Sequence, residues 1–127
     1  MPIDITVRPA AGRQLVERYG GGGFTVSGIR HVGSVLIFPD RTLAWPVAEA
    51  AAIDAATLAP VIACAPRPRI LVVGCGRAFA PRPDGLDAAM REAGIGVEWM
   101  DTGAACRTFN VLLLEDREVA AALIAVE

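Results

Sequence analysis

The stretch that decides the fold is ILVVGCGRAFAPRPDGLDAAMREAGIGVEWM, residues 70–100. It opens with a wholly apolar run, residues 70–73, which is typical of a strand buried on both faces of a sheet. Residues 84–93 carry apolar side chains at helical spacing, and Gly94 is placed to end that helix. Residues 97–100 follow as a second strand. Strand, helix and strand together predict a βαβ unit, in which the two strands are parallel and the crossover is right-handed.

The C-terminal part of the chain predicts one more helix and one more strand. Asp101 or Thr102 is placed to cap a helix over residues 104–114. After a polar break, the apolar segment 119–126 (VAAALIAV) is ambiguous. Its alanines favour a helix, whereas its length and uniform apolarity favour a buried strand. We interpret it as a strand, because one more strand is needed to cover the sheet.

The N-terminal half predicts mostly strands. Residues 34–38 (SVLIF) and 42–45 (TLAW) are rich in β-branched and aromatic side chains and flank a Pro-Asp turn, so they predict a β-hairpin. Residues 24–29 alternate between polar and apolar and predict a further strand. Asp54 is suited to cap a helix over residues 55–63, where good helix formers follow.

The four glycines at residues 20–23 mark the first break in the chain, since consecutive glycines are costly to hold in a regular element. The residues before them are predicted to form an arm that carries a short strand near residues 3–7. A chain of 127 residues is long enough to bury a core and too short for two ordinary domains. We therefore expect a single domain over residues 1–127, with an arm and glycine-rich loop at 1–23 and a core at 24–127.

Composition narrows the classes of function. The net charge is −2 and the 12 cations are scattered arginines, which argues against a basic surface for nucleic acid. The longest apolar run is too short to span a bilayer, and the N-terminus lacks a long apolar stretch, so we expect a cytoplasmic protein that is not inserted in a membrane. Three widely spaced cysteines and one histidine predict no disulfide framework, no metal site and no cofactor.

Two motifs are candidate binding sites, and the first is the turn Gly74-Cys75-Gly76. Glycines after a buried strand let backbone N–H groups approach an anion. A dinucleotide fingerprint is incomplete here, because Phe79 stands where its third glycine belongs and prolines replace the expected helix start. Nearby arginines such as Arg77 add a local positive rim. The alternative is an ordinary tight turn at the carboxyl edge of the sheet.

The second motif is the start of the last helix, TGAACRTFN. A helix start offers free N–H groups and a positive dipole end, which would stabilise a Cys106 thiolate next to Arg107. The alternative is that Cys106 is a small packing residue and that Thr108 and Asn110 bond the nearby backbone. The full candidate set, in which no residue is assigned as catalytic, is Gly74, Gly76, Arg77, Thr102, Cys106, Arg107, Thr108 and Asn110.

Several segments taken together resemble one protein family. They are GGGF at 21–24, GSVLIFP at 33–39, LVVGCG at 71–76, GIGVEWMDTGAACRTFNVLLLEDR at 94–117 and VAAALIAV at 119–126. This combination resembles the mitochondrial complex I assembly factor 3 family, also known as the Mth-type domain family. The resemblance implies a three-layer α/β fold, in which a mixed five-stranded central sheet has its last strand antiparallel to the others. An N-terminal β-hairpin region accompanies that sheet.

The resemblance implies a non-enzymatic interaction protein. The mitochondrial relatives assemble respiratory complex I, so we expect partners among membrane or respiratory-complex subunits, with the protein peripheral at the inner membrane. Two alternatives stay open. One is a small-anion-binding protein or an enzyme built on Cys106, Arg107 and Thr108, and the other is a homo-oligomer formed through an exposed strand edge of the N-terminal hairpin. The chain departs from its relatives at Asp116, where they more often carry glycine.

Overall fold

The computed structural model describes residues 14–127, and the strand predicted near residues 3–7 lies outside them. The described residues form eight strands and three α-helices. The strands are β1 (Val16–Gly20), β2 (Gly23–Val26), β3 (Ile29–Val32), β4 (Val35–Ile37), β5 (Thr42–Ala44), β6 (Ile70–Gly74), β7 (Gly96–Met100) and β8 (Val119–Leu123). The helices are α1 (Ala59–Ile62), α2 (Leu86–Glu92) and α3 (Thr102–Leu114), and a 3₁₀ turn spans Ala50–Ala52.

A mixed five-stranded sheet forms the centre of the molecule, as expected, with strand order β5-β4-β8-β6-β7. Strand β6 pairs in parallel with β7, and α2 connects them as the βαβ pattern predicts. The ambiguous C-terminal segment contributes strand β8. The direction of this last strand differs from the expectation, since β8 is parallel to β6 and antiparallel only to β4. The reason is that α3 carries the chain from β7 back across β6, and such a crossover joins parallel strands.

Two hydrophobic cores lie on opposite faces of this sheet, which makes the fold three-layered. Alternate residues of a strand point to opposite faces. Leu71 and Val73 of β6 therefore pack on the side of α2, and Val72 packs on the side of α3. Both tryptophans, Trp45 and Trp99, belong to the core on the α2 side.

A three-stranded antiparallel sheet, β1-β2-β3, contributes to the core on the α3 side. The single strand predicted over residues 24–29 is divided, because Ser27 and Gly28 adopt left-handed φ angles of 45° and 84° and turn the chain between β2 and β3. The predicted arm includes β1, whose Val16 is buried in this core. The four glycines make the tight turn between β1 and β2, so the core extends N-terminal of residue 24.

The helix predicted over residues 55–63 is much shorter in the structure, where α1 begins only at Ala59. Asp54 caps a turn instead. Its Oδ1 accepts a hydrogen bond from Thr57 N at 2.8 Å, and Thr57 Oγ1 accepts one from Asp54 N at 3.0 Å. These reciprocal bonds form a capping box around a single helical turn, in which Leu58 N donates to Asp54 O at 3.2 Å, and α1 follows it only at Ala59.

Asp116 ends α3 in the left-handed conformation, with a φ of 62°. The N–H of Asp116 donates to Leu113 O, and the N–H of Arg117 donates to Leu112 O, both at 3.0 Å. This pair of bonds is the usual pattern at a helix end that leads into a left-handed residue. Glycine adopts such a φ without strain, and aspartate is among the few other residues that adopt it.

Candidate functional site

The structure brings together only part of the predicted site. Gly74, Gly76 and Thr102 meet at the carboxyl ends of β6 and β7. Here the chain leaves β6 toward α2 on one face and leaves β7 toward α3 on the other. Adjacent strands that diverge in this way create the crevice in which open α/β sheets bind ligands. Arg77 lies exposed just beyond the crevice.

The Thr102 side chain fills this crevice. Its hydroxyl donates to Ile124 O at 2.7 Å and accepts from Gly76 N at 3.1 Å. Gly74 leaves room for the helix start, because a Cβ at this position would lie 2.9 Å from the Cα of Thr102. The N–H groups of Cys75 and Gly76 are both bonded within the protein, so the turn does not present them to an anion. The glycine turn therefore serves the packing of α3 against β6.

The N-terminus of α3 is occupied as well. Asp101 caps the helix as predicted, since its Oδ1 accepts from Ala104 N at 2.9 Å. The Tyr19 hydroxyl lies over Gly103, so close that a Cβ on this glycine would be 2.6 Å from the phenol oxygen. A carboxylate and a phenol thus cover the first turn, where a bound anion would otherwise lie.

Cys106 is a packing residue of the core on the α3 side, and it is 3% exposed. Burial raises the pKa of the Cys106 thiol to about 12, and the positive charge of Arg107 offsets only part of this effect. The thiol is therefore protonated at neutral pH, contrary to the thiolate that the helix start would favour. Burial and the raised pKa therefore argue against Cys106 as the nucleophile of the enzymatic alternative, which stays a prediction.

Of the other residues predicted on α3, Asn110 stabilises the fold, whereas Arg107 and Thr108 have no such role in the described structure. Asn110 holds β1 in place, because its Oδ1 accepts from Val16 N at 2.9 Å and its Nδ2 donates to Val16 O at 2.7 Å. The Asn110 amide thus makes the two hydrogen bonds to the β1 backbone that a neighbouring strand would make. Arg107 is exposed and Thr108 is half-buried, and within residues 14–127 neither side chain has a hydrogen bond or an ion pair.

Several clefts lie elsewhere, and sequence reasoning missed two that reach the central sheet. One, of about 280 Å³, lies between the β4–β5 turn and the segment before β6, and is lined by Pro39–Arg41, Cys64–Pro68 and Glu118–Val119. The other, of about 390 Å³, lies between α2 and β7, and is lined by Asp87, Arg91 and residues 94–97. None of the predicted residues lines either cleft. The sequence signal near the second cleft is Glu98, because a charge within a short strand indicates a sheet edge.

Residues 14–127 include neither a cluster of metal ligands nor a membrane-spanning helix. This part of the chain contains no group of three or more His, Cys, Asp or Glu side chains that could hold a metal ion. None of its helices combines the length and the apolarity needed to cross a membrane. The three cysteines are free thiols.

A family model matches most of the chain. It is described as a protein of unknown function (DUF498/DUF598), and it matches residues 16–124, from the start of β1 to just beyond β8. The chain belongs to the DUF498/DUF598 family. The two described sheets and all three helices therefore fall within the region that defines the family.

Relatives of this DUF498/DUF598 protein confirm the resemblance seen in the sequence. The chain is 37% identical over 117 residues to a Xenopus tropicalis protein and 34% identical over 122 residues to a human protein. Both are named NADH dehydrogenase (ubiquinone) 1 alpha subcomplex assembly factor 3. The alignments cover 92% and 96% of this chain, which spans only 64% and 66% of those relatives. An uncharacterized Rhodobacter capsulatus protein is 34% identical over 90% of this chain and 86% of its own.

Solved structures share the fold. An outer membrane protein from Bartonella henselae matches with a TM-score of 0.83 and 35% identity, over 91% of this chain and 98% of that one. A Bordetella pertussis protein described as a Mth938-like domain matches with a TM-score of 0.80 and 28% identity, over 97% and 92% of the two chains. The DUF498/DUF598 chain thus has the Mth938-like α/β fold.

Proposed function

We propose that this DUF498/DUF598 protein is a non-enzymatic assembly factor that binds subunits of respiratory complex I before they are joined. The observation that carries the proposal is the identity of 37% and 34%, over 92% and 96% of the chain, to proteins named as complex I assembly factors. The proposal includes a cytoplasmic location, with the protein peripheral at the inner membrane where its partners are inserted.

The chemistry of the crevice supports a role without catalysis. Covalent and acid–base catalysis need a nucleophile or a titrating group that is open to a substrate. In the crevice the Thr102 hydroxyl is engaged in two hydrogen bonds within the protein. The Cys106 thiol nearby on α3 is buried, and its raised pKa keeps it protonated. What the protein offers to a partner is its surface, on which Phe79 is 69% exposed.

Deletion of the gene in a bacterium that also contains complex I tests this proposal. We expect less assembled complex I on native gels stained for NADH dehydrogenase activity. The wild-type chain supplied from a plasmid should restore the amount. An unchanged amount of assembled complex I in the deletion strain would contradict the proposal.

Variants make the deletion test specific. Cys106→Ala removes the thiol and keeps a small side chain in the core, so it should restore complex I as well as the wild type does. Failure of a folded Cys106→Ala protein to restore the complex would support the enzymatic alternative instead. Light scattering of the purified wild-type chain at several concentrations tests the homo-oligomer, which stays a prediction.

A further inference from the structure

Strand β7 lies at the edge of the central sheet, and in the described part of the chain its one strand neighbour is β6. Gly96 N donates to Arg69 O at 2.9 Å, so the backbone groups of Gly96 face β6. Successive residues of a strand direct their N–H and C=O groups to opposite sides within the sheet. The backbone groups of Val97 and Trp99 therefore point outward, along an edge that no strand of residues 14–127 covers.

Space is available beside this edge. The cleft of about 390 Å³ between α2 and β7 is lined by both elements, and it reaches Gly96 and Val97. The helix layer thus leaves the first half of the strand uncovered. An uncovered edge is a template for pairing with another chain, and proteins use charged residues to control which chain can pair there.

Glu98 supplies such a charge in the middle of the edge. Its side chain is exposed, and it has neither an ion pair nor a hydrogen bond within residues 14–127. A second copy added antiparallel through Val97 and Trp99 would place its own Glu98 opposite this one, in the pair whose side chains come closest. Like charges at that position disfavour a second copy, whereas a lysine or arginine is favoured.

Phe79 adds an apolar contact that is tethered to the same strand. Trp99 of β7 donates from Nε1 to Ala80 O at 2.7 Å, and Ala80 N donates to Cys75 Sγ at 3.3 Å. These two bonds hold the loop that carries Phe79, although the ring itself is 69% exposed. Aromatic side chains, phenylalanine among them, are enriched in the cores of protein interfaces.

We propose that the β7 edge binds an extended segment of a partner protein by strand addition, with a lysine or arginine of that segment opposite Glu98 and an apolar residue against Phe79. This inference rests on the proposed function, to which it assigns a surface and a partner chemistry. Backbone bonds to Val97 and Trp99 supply affinity, and the two side-chain contacts supply specificity.

A peptide copy of residues 94–101 that carries Glu98→Lys is the probe. Antiparallel pairing places its lysine opposite Glu98 of the intact protein. We expect saturable binding to the wild-type chain, and slower hydrogen exchange at the amides of Val97 and Trp99 when the peptide is bound. The absence of saturable binding would overturn the proposal, as would protection confined to amides outside β7.

A charge exchange tests the contact with Glu98. The Glu98→Lys protein should bind this peptide about fivefold more weakly than the wild type does, because like charges then face each other. It should bind the unsubstituted peptide more tightly than the wild type does. Glu115→Lys is the matched control, since Glu115 is exposed just after the C-terminal end of α3 and its replacement changes the net charge equally. Equal affinities of the wild-type and Glu98→Lys proteins for both peptides would overturn the proposal.

Further variants keep the test decisive. If the Glu98→Lys protein does not fold, Glu98→Gln should weaken binding of the lysine peptide in the same direction by a smaller factor. Phe79→Ala should weaken binding of either peptide by either protein, because it removes the apolar contact. An unchanged affinity in both Glu98→Gln and Phe79→Ala would overturn the proposal.

The complex I assay separates this inference from the proposed function. If deletion lowers complex I, Glu98→Lys restores it fully and the peptide does not bind, the assembly role stands and the edge contact is wrong. If the peptide binds with the expected dependence on charge and deletion leaves complex I unchanged, the edge contact stands and the assembly role is wrong.

Discussion

Two parts of the surface around β7 differ in how their polar groups are satisfied. At its carboxyl end, the crevice is closed by the Thr102 hydroxyl, which bonds Gly76 N and Ile124 O. Along its outer edge, Val97 and Trp99 have no neighbouring strand in the described residues. A sequence motif that is typical of a binding site therefore does not show that its polar groups are free to bind a ligand. Glycine turns and helix caps satisfy backbone groups equally well with a ligand or with the protein itself.

Removing the Thr102 hydroxyl is the most direct way to break the closed crevice. Thr102→Ala leaves the buried C=O of Ile124 and the partly buried N–H of Gly76 without this partner, so the free energy of unfolding should fall by about 3 kcal/mol. Thr102→Ser keeps the hydroxyl and should lose about 1 kcal/mol through the missing methyl group. Chemical denaturation measures both. Equal losses in the two variants would show that the hydroxyl does not hold the crevice closed.

The Asn110 side chain covers the edge of β1 by bonding its backbone. No described residue covers the outer edge of β7 in the same way. Asn110→Ala removes two hydrogen bonds to the Val16 backbone. We expect a loss of about 2 kcal/mol in the free energy of unfolding, together with faster hydrogen exchange at the Val16 amide. Thr108→Ala, which removes no side-chain hydrogen bond found in the described residues, is the control and should change stability by less than about 0.5 kcal/mol. Similar effects of the two substitutions would contradict the role given to Asn110.

The buried thiol beneath the crevice makes stability depend on pH. Folding raises the pKa of Cys106 from 9.0 to about 12, so the unfolded chain loses this proton first as the pH rises. The folded state should therefore lose up to about 1.4 kcal/mol of stability per pH unit above pH 9, relative to Cys106→Ala. Denaturation of both proteins on either side of pH 9 gives the difference. Parallel pH profiles for the two proteins would contradict the burial of this thiol.

The elements that could be predicted from the sequence are those determined by residues close to them in the chain. The βαβ unit follows from periodicity, and the Asp101 cap follows from the preference of helix starts for a short acidic side chain. The direction of β8 has no local cause, since it depends on which strand α3 crosses. The division of residues 24–29 does have a local signal, the dipeptide Ser27-Gly28 of a two-residue hairpin turn, which the prediction of a single strand missed.

The candidate site shows the same limit. Sequence reasoning placed Gly74, Gly76 and Thr102 at one end of the sheet, and they do meet there. Whether their polar groups are free depends on Ile124, which is 22 residues beyond Thr102 in the chain. The burial of Cys106 likewise depends on packing against other elements, and no motif reports it.

We expect the smallest change in the free energy of unfolding from a substitution on the outer edge of β7. Within residues 14–127 the Glu98 carboxylate has no hydrogen bond or ion pair, so Glu98→Gln should change the free energy of unfolding by less than about 0.5 kcal/mol. The denaturation series used for Thr102→Ala measures this. A loss of about 1 kcal/mol or more would reveal an internal partner for the carboxylate, and the edge would then not be free. Since charged residues on a strand edge control which chain can pair there, a glutamate that folding does not need is consistent with the proposed strand addition.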